Sequence, residues 1–194
     1  MALVRHKLDY VYMAFFAIHI PATLLLDLQA LYPTALVPAL IAKLPQYYID
    51  FSRDPLIGVA FGTYGDPAHY VWFKSFLLLE AFFQLPMFFF GLRGLIRATT
   101  RIYIPLLIYA ASTTTTTLPC LAVVLATPAA TPELIAAGLP AVTDIQRIML
   151  LASYVPFFLI PLVMTVDMAY RVWHEVKRAA RMREAFKIKP RKFD

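Results

Sequence analysis

Four apolar runs with few charges divide the chain, at residues 9–28, 72–92, 103–125 and 148–167. A helix needs ~20 residues to cross a hydrocarbon core of about 30 Å, and the first run lies near the lower limit. A barrel strand crosses with only ~9–11 residues, so the runs predict helices. Prolines fall within or near every run, at Pro21, Pro86, Pro105, Pro119, Pro156 and Pro161. Interior prolines kink helices. The pattern therefore predicts an all-α membrane protein, a four-transmembrane-helix bundle with kinked helices. The link at 29–71 is long but not hydrophilic, with Leu31, Leu40, Ile41, Leu44, Tyr47, Tyr48 and Phe51. It predicts a partly helical loop that caps the bundle on the non-cytosolic side. Residues 58–69 are richer in glycine and predict a flexible excursion. There is no internal repeat, low-complexity tract or soluble-domain boundary.

Composition agrees with lipid as the solvent. The chain is 60% hydrophobic and 15% charged, against roughly 45–50% and 25% in soluble domains. The net charge of +6 sits in one place: residues 171–194 carry nine Lys/Arg against three acids, and the preceding 170 residues are neutral overall. Such a tail follows membrane topology and anionic lipid better than nucleic acid. Arg5 and Lys7, then Arg93, Arg97 and Arg101, then the tail fall on one side of a four-span arrangement. The positive-inside rule then places both termini in the cytosol. The expected organisation is a cytosolic N-terminus at 1–8, a membrane domain at 9–168 and a basic cytosolic tail at 169–194. No small-residue cleavage site followed by a soluble domain succeeds the first run, so it reads as a retained span. Cys120 is the single cysteine, so no intrachain disulfide forms.

Two acids lie within the apolar runs. Asp27 closes the first span, and Glu80 sits near the middle of the second, with Gln84 one turn on. Charged groups at bilayer depth are costly and usually face a cavity or a partner. Asp27 could also snorkel at the interface, and Glu80 could be a neutral carboxyl hydrogen-bonded between helices. The third span carries Thr113 to Thr117 before Pro119, and helical spacing puts Tyr109, Thr113, Thr116, Thr117 and Cys120 on one broad face. Interhelical polar contact explains any single threonine as well as a pocket wall does. His19 reads as a structural hydrogen-bonding residue. Asp54-Pro55 reads as a turn or helix cap that could also order a site. No phosphate loop, metal-ligand spacing or nucleophile elbow is present, so neither metal nor cofactor is expected.

At these positions the chain resembles a known family. His19-Ile20-Pro21 with Leu26-Asp27-Leu28-Gln29-Ala30 is similar to the first-span motif of the sigma-2 receptor (transmembrane protein 97) family. Asp54-Pro55-Leu56 matches its loop motif. Trp72-Phe73-Lys74-Ser75-Phe76, Glu80 and Phe83-Gln84-Leu85-Pro86 match its second span. Ile108-Tyr109 with the threonines and Leu118-Pro119, then Tyr154-Val155-Pro156 and Leu159-Ile160-Pro161, match the third and fourth. The similarity covers residues 8–168 and extends to the EXPERA group, which includes a sterol Δ8–Δ7 isomerase. Two departures stand out: the stretch from Pro55 to Trp72 is longer than the family pattern, and Phe157 stands where a tyrosine is expected.

The resemblance implies an endoplasmic-reticulum protein, a homodimer, whose cavity binds sterols or cationic amphiphiles. Asp27 would pair with the ligand amine, Glu80 would hydrogen-bond to Asp27, and Asp54 would order the site. Gln84, Tyr109, Thr116 and Tyr154 would line it. Sterol homeostasis or trafficking is the implied role. Two rivals remain open: sterol isomerisation, for which no histidine counterpart is evident beside Glu80, and an endoplasmic-reticulum surface factor that assists mitochondrial protein targeting through a membrane-protein client. The C-terminal Arg191-Lys192-Phe193-Asp194 is similar to a dilysine-type retrieval signal.

Overall fold

A computed structural model describes residues 6–187. The retrieval-signal reading of residues 191–194 lies outside them. Four helices among the described residues are long and apolar enough to cross a membrane: Lys7–Leu31, Ala68–Ile96, Thr100–Ala126 and Asp144–Ala185. Among the described residues no strand accompanies them, only an isolated bridge between Ala129 and Val142.

The first span is helix α1 (Lys7–Leu25), which runs through Pro21 and tightens into a 3-10 turn at Asp27–Leu31. Three short helices follow in the long link: α2 (Ala39–Ala42), α3 (Leu44–Ser52) and α4 (Pro55–Ala60). The second span is α5 (Val71–Leu79), a π-helical turn at Glu80–Gln84, and α6 (Leu85–Ile96). Proline 86 has no N–H for the regular ladder, and the widened turn just before it carries the Leu85 N–H to the Glu80 carbonyl instead. The third span is α7 (Tyr103–Ala126), and α8 (Pro132–Ala136) lies in the link after it. The last helix, α9 (Asp144–Lys187), runs 44 residues. It does not stop near Asp167, so the basic segment begins as a helical continuation of the fourth span.

Helix α7 packs along α9, and α1 along α6. Two aromatic-rich clusters fill the bundle at different depths. One joins Tyr12, Phe15 and Phe16 to Phe88, Leu106, Tyr109, Met164 and Met168. The other joins the cap to the spans through Ile49, Leu56, Ile57, Val59, Tyr64, Phe73 and Leu77. Gly91 lets the first cluster close, because a Cβ there would lie 2.9 Å from both Leu106 and Phe16.

The cap differs from the flexible excursion expected at 58–69. Its first part is buried helix, with Leu56 and Val59 almost wholly covered. Gly58 is present for close approach rather than for mobility: a Cβ there would meet the Tyr64 ring at 2.1 Å. The cap is also tied to the link after the third span. Arg53 Nε donates to the Ala141 carbonyl at 2.8 Å, and Gln146 Nε2 donates to the Phe51 carbonyl at 3.1 Å.

Towards the other end, α1 and α9 are joined by charge. Arg171, only 5% exposed, lies 2.7 Å from Asp9 and 2.6 Å from Asp167, and Tyr12 donates to Asp167 at 3.1 Å. The Arg171 guanidinium also lies over the Tyr103 ring of α7 at 5.3 Å.

Candidate functional site

Between the two clusters lies a cavity of about 270 Å³. All four spans and the cap contribute walls, including His19, Asp27, Tyr48, Asp54, Phe76, Glu80, Thr116, Tyr154 and Phe157. The lining holds three carboxyl residues and neither lysine nor arginine.

Asp27 enters the cavity because α1 ends there. The tight turn after Leu26 is anchored by Gln29, whose Nε2 donates to the carbonyls of Leu25 and, at 3.0 Å, Ile41. Buried Leu28 packs inward beside it. Among the described residues no group donates a hydrogen bond to the Asp27 carboxylate, while Glu80 and Asp54 act on it electrostatically. Negative charge crowded into a dry site is relieved by a proton or by a cationic guest.

Glu80 opens the π-helical turn, and its Oε1 accepts a hydrogen bond from Thr23 Oγ1 at 2.6 Å. Thr23 lies one turn before Asp27. The hydrogen bond from Glu80 to Asp27 that the resemblance implies is not formed; Thr23 takes that place. His19 corrects another expectation. Its Nε2 lies 4.0 Å from Glu80 Oε1, so a histidine does stand beside this acid, supplied by the first span. Three phenylalanines pack around its imidazole, with Phe157 at 4.4 Å, Phe88 at 4.5 Å and Phe15 at 5.0 Å between ring centroids. Phe157, the departure from the family pattern, therefore forms part of the histidine's wall.

Asp54 is fully buried at the start of α4. Its Oδ1 accepts the backbone N–H groups of Leu56 (2.9 Å) and Ile57 (3.1 Å), a helix cap of ordinary form. Its Oδ2 accepts the hydroxyls of Tyr48 and Tyr154, each at 2.9 Å. Burial pushes the Asp54 carboxyl above its usual range, against the pull of these four donors. The Tyr48 hydroxyl is pushed up as well, first by burial and then by the charge of Asp54.

Gln84, Thr116 and Tyr154 lie in the cavity wall. Four of the five threonines bond back along α7: Thr114, Thr115 and Thr117 donate to the carbonyl four residues back at 2.8 Å, and Thr116 to those of Ser112 and Thr113, while the buried Thr113 hydroxyl has no hydrogen-bond partner among the described residues. The Thr116 and Thr117 hydroxyls follow the backbone, which leaves their methyl groups for the wall, and Thr113 adds an unpartnered hydroxyl to the lining. Tyr109 stands apart from the others. It is fully buried between Phe16 and Phe88, at 5.4 and 5.6 Å, and is not among the residues that line the cavity. Helical spacing placed it on the same face as Thr113 and Thr116, but the cavity ends above the aromatic layer to which Tyr109 belongs.

The sequence alone does not mark Tyr48 or Thr23 as site residues, and it gives His19 only a structural role. Tyr48 looked like one more apolar cap residue, and Thr23 had no motif. His19 carried a signal, a titratable residue one helical turn before Thr23 and two before Asp27.

Fold and cavity together define a multi-pass membrane protein with an acidic pocket enclosed by its spans. The model of the EXPERA (EXPanded EBP superfamily) family matches residues 40–168, and the chain belongs to that family. Among its relatives, Sigma intracellular receptor 2 of Xenopus tropicalis is 30% identical over 181 residues, 92% of this chain and 98% of the relative. The proteins of that name from Macaca fascicularis and Homo sapiens are each 32% identical over 165 residues, 84% of this chain and 88% of theirs.

Proposed function

We propose that this protein is a sigma-2 receptor-like, intramembrane binding protein for sterols and cationic amphiphiles. The observation that carries the reading is the Asp27 carboxylate, which no donor satisfies, at the wall of an aromatic-rich cavity lacking lysine and arginine. An amphiphile buries its hydrophobic body among Phe73, Phe76 and Phe157 and brings its ammonium to Asp27. Glu80, held by Thr23, and Asp54, held by two tyrosines, keep the surrounding potential negative. A sterol places its hydroxyl at the same acids. The names of the relatives support a receptor-like role, and the family resemblance extends the proposal to a homodimer of the endoplasmic-reticulum membrane with cytosolic termini, acting in sterol homeostasis or trafficking.

Equilibrium binding of a radiolabelled cationic amphiphile to purified, folded protein tests it. Asp27→Asn keeps the shape and removes the charge. Losing one member of a buried charge pair costs ~2–5 kcal/mol, so affinity is expected to fall about thirtyfold or more. Unchanged affinity in a folded Asp27→Asn protein overturns the reading.

A second reading follows from His19, which stands 4.0 Å from Glu80. An acid beside an imidazole can deliver a proton to an alkene while a second carboxylate removes one elsewhere, the requirement for shifting a sterol double bond. Conversion of a Δ8 sterol by purified protein, abolished by Glu80→Gln, supports this reading. Absence of turnover in protein that binds the sterol removes it.

A further inference from the structure

A second cavity, of about 330 Å³, lies beside the first. Its walls come from segments far apart in sequence: Ala30 and Leu31 of the 3-10 turn that ends the first span, Val59 and Ala60 of α4, Ala68 and Tyr70 just before α5, and one face of α5. Phe73 and Leu77 line both cavities and form the partition between them.

The two cavities have opposite polarity. The first is lined by Asp27, Asp54 and Glu80, whereas the second has no carboxylate in its lining and one charged residue, Lys74. Lys74 is exposed in the first turn of α5, six residues into the membrane-length helix that starts at Ala68. Among the described residues no acid pairs with it. The arginines at this end of the bundle are otherwise engaged. Arg53 holds the Ala141 carbonyl, and Arg147 caps α7 through the carbonyls of Val124, Leu125 and Thr127. A lysine at membrane depth normally has a partner or reaches the interface along an apolar stem.

An apolar recess with one cation at its wall suits a long-chain carboxylate. The alkyl chain lies against Leu31, Val59 and Leu77, and the carboxylate meets the Lys74 ammonium. A cationic amphiphile is repelled there, and a neutral sterol leaves the charge of the lysine uncompensated. We infer that this recess is a binding site for a fatty-acid-type anion, separate from the acidic cavity and divided from it by Phe73 and Leu77.

The test uses a long-chain fatty acid bearing a diazirine, photolysed with the full-length protein in neutral-lipid nanodiscs and mapped by peptide mass spectrometry. Label is expected on peptides covering residues 55–60 and 71–77, competed by unlabelled fatty acid and not by the fatty alcohol of equal length. Lys74→Gln should reduce labelling about fivefold, the value of one ion pair of ~1 kcal/mol. Ala60→Phe should block it by filling the recess. Thermal unfolding confirms that each variant is folded, and the competition on wild-type protein decides the matter if either is not. Equal competition by the alcohol, undiminished labelling of folded Lys74→Gln, or label confined to peptides around Asp27 overturns the inference. Amine binding is not read in this experiment, so its outcome is independent of the function proposed above.

Discussion

Tyr154 donates its hydroxyl to Asp54 at 2.9 Å, a bond between residues one hundred positions apart that ties the cap to the last span. Tyr48 makes the same bond from within the cap. One carboxylate oxygen thus receives two tyrosines, while the other starts α4. The roof of the acidic cavity is set by this one side chain.

Removing either hydroxyl tests that role. Tyr154→Phe and Tyr48→Phe each take one donor from a buried carboxylate, at a cost of about 1–3 kcal/mol. The double variant should lose more or less than the sum, because both bonds end on one oxygen. Thermal unfolding in detergent with a double-mutant cycle measures this. Tyr154→Phe should also weaken amphiphile binding, since Tyr154 connects the roof to α9.

Asp54 predicts a pH dependence of stability. Its folded-state value is raised above the ordinary 3.8, chiefly by burial. The sign follows from linkage: a raised acid favours folding in its protonated form. That stability is fully present below 3.8 and is lost as pH rises through the higher folded-state value. Unfolding curves across this range should show the decline in wild-type protein and its absence in Asp54→Asn. Identical pH profiles for the two proteins contradict the expectation.

The Asp9–Arg171–Asp167 cluster predicts a large and partly reversible defect. Arg171→Gln leaves two acids uncompensated in a buried site, and breaking such pairs costs about 3–5 kcal/mol. Combining it with Asp9→Asn and Asp167→Asn should recover much of that loss. The readout is the unfolding temperature. Failure of the triple variant to exceed Arg171→Gln points to packing over the Tyr103 ring, and not charge, as the contribution of Arg171.

Phe157 predicts a change of ligand preference. Its ring lies against His19 and lines the acidic cavity. Phe157→Tyr adds a hydroxyl to a ring that packs on His19 and lines the cavity. Competition binding with matched amines should shift towards the hydroxyl-bearing member by about fivefold, the value of one hydrogen bond of ~1 kcal/mol. An unchanged ratio shows that the new hydroxyl faces away from the ligand.

The chain itself determines four membrane-length helices, because apolar run length is set by bilayer thickness and read position by position. It also marks Asp27 and Glu80, since an acid in an apolar run is conspicuous without any neighbours. Asp54 before Pro55 is legible as a helix cap for the same local reason. Tertiary structure alone decided the rest. That Thr23, and not Asp27, bonds Glu80, that His19 stands beside that acid, and that Tyr48 and Tyr154 meet on one oxygen all depend on how helices are rotated and stacked against one another. Tyr109 shows the limit most clearly. Periodicity assigned it to the right face of α7, but depth along the bundle placed it in the aromatic layer beneath the cavity. Local chemistry says which residues are costly to bury; only the packing of distant segments says which of them share a site.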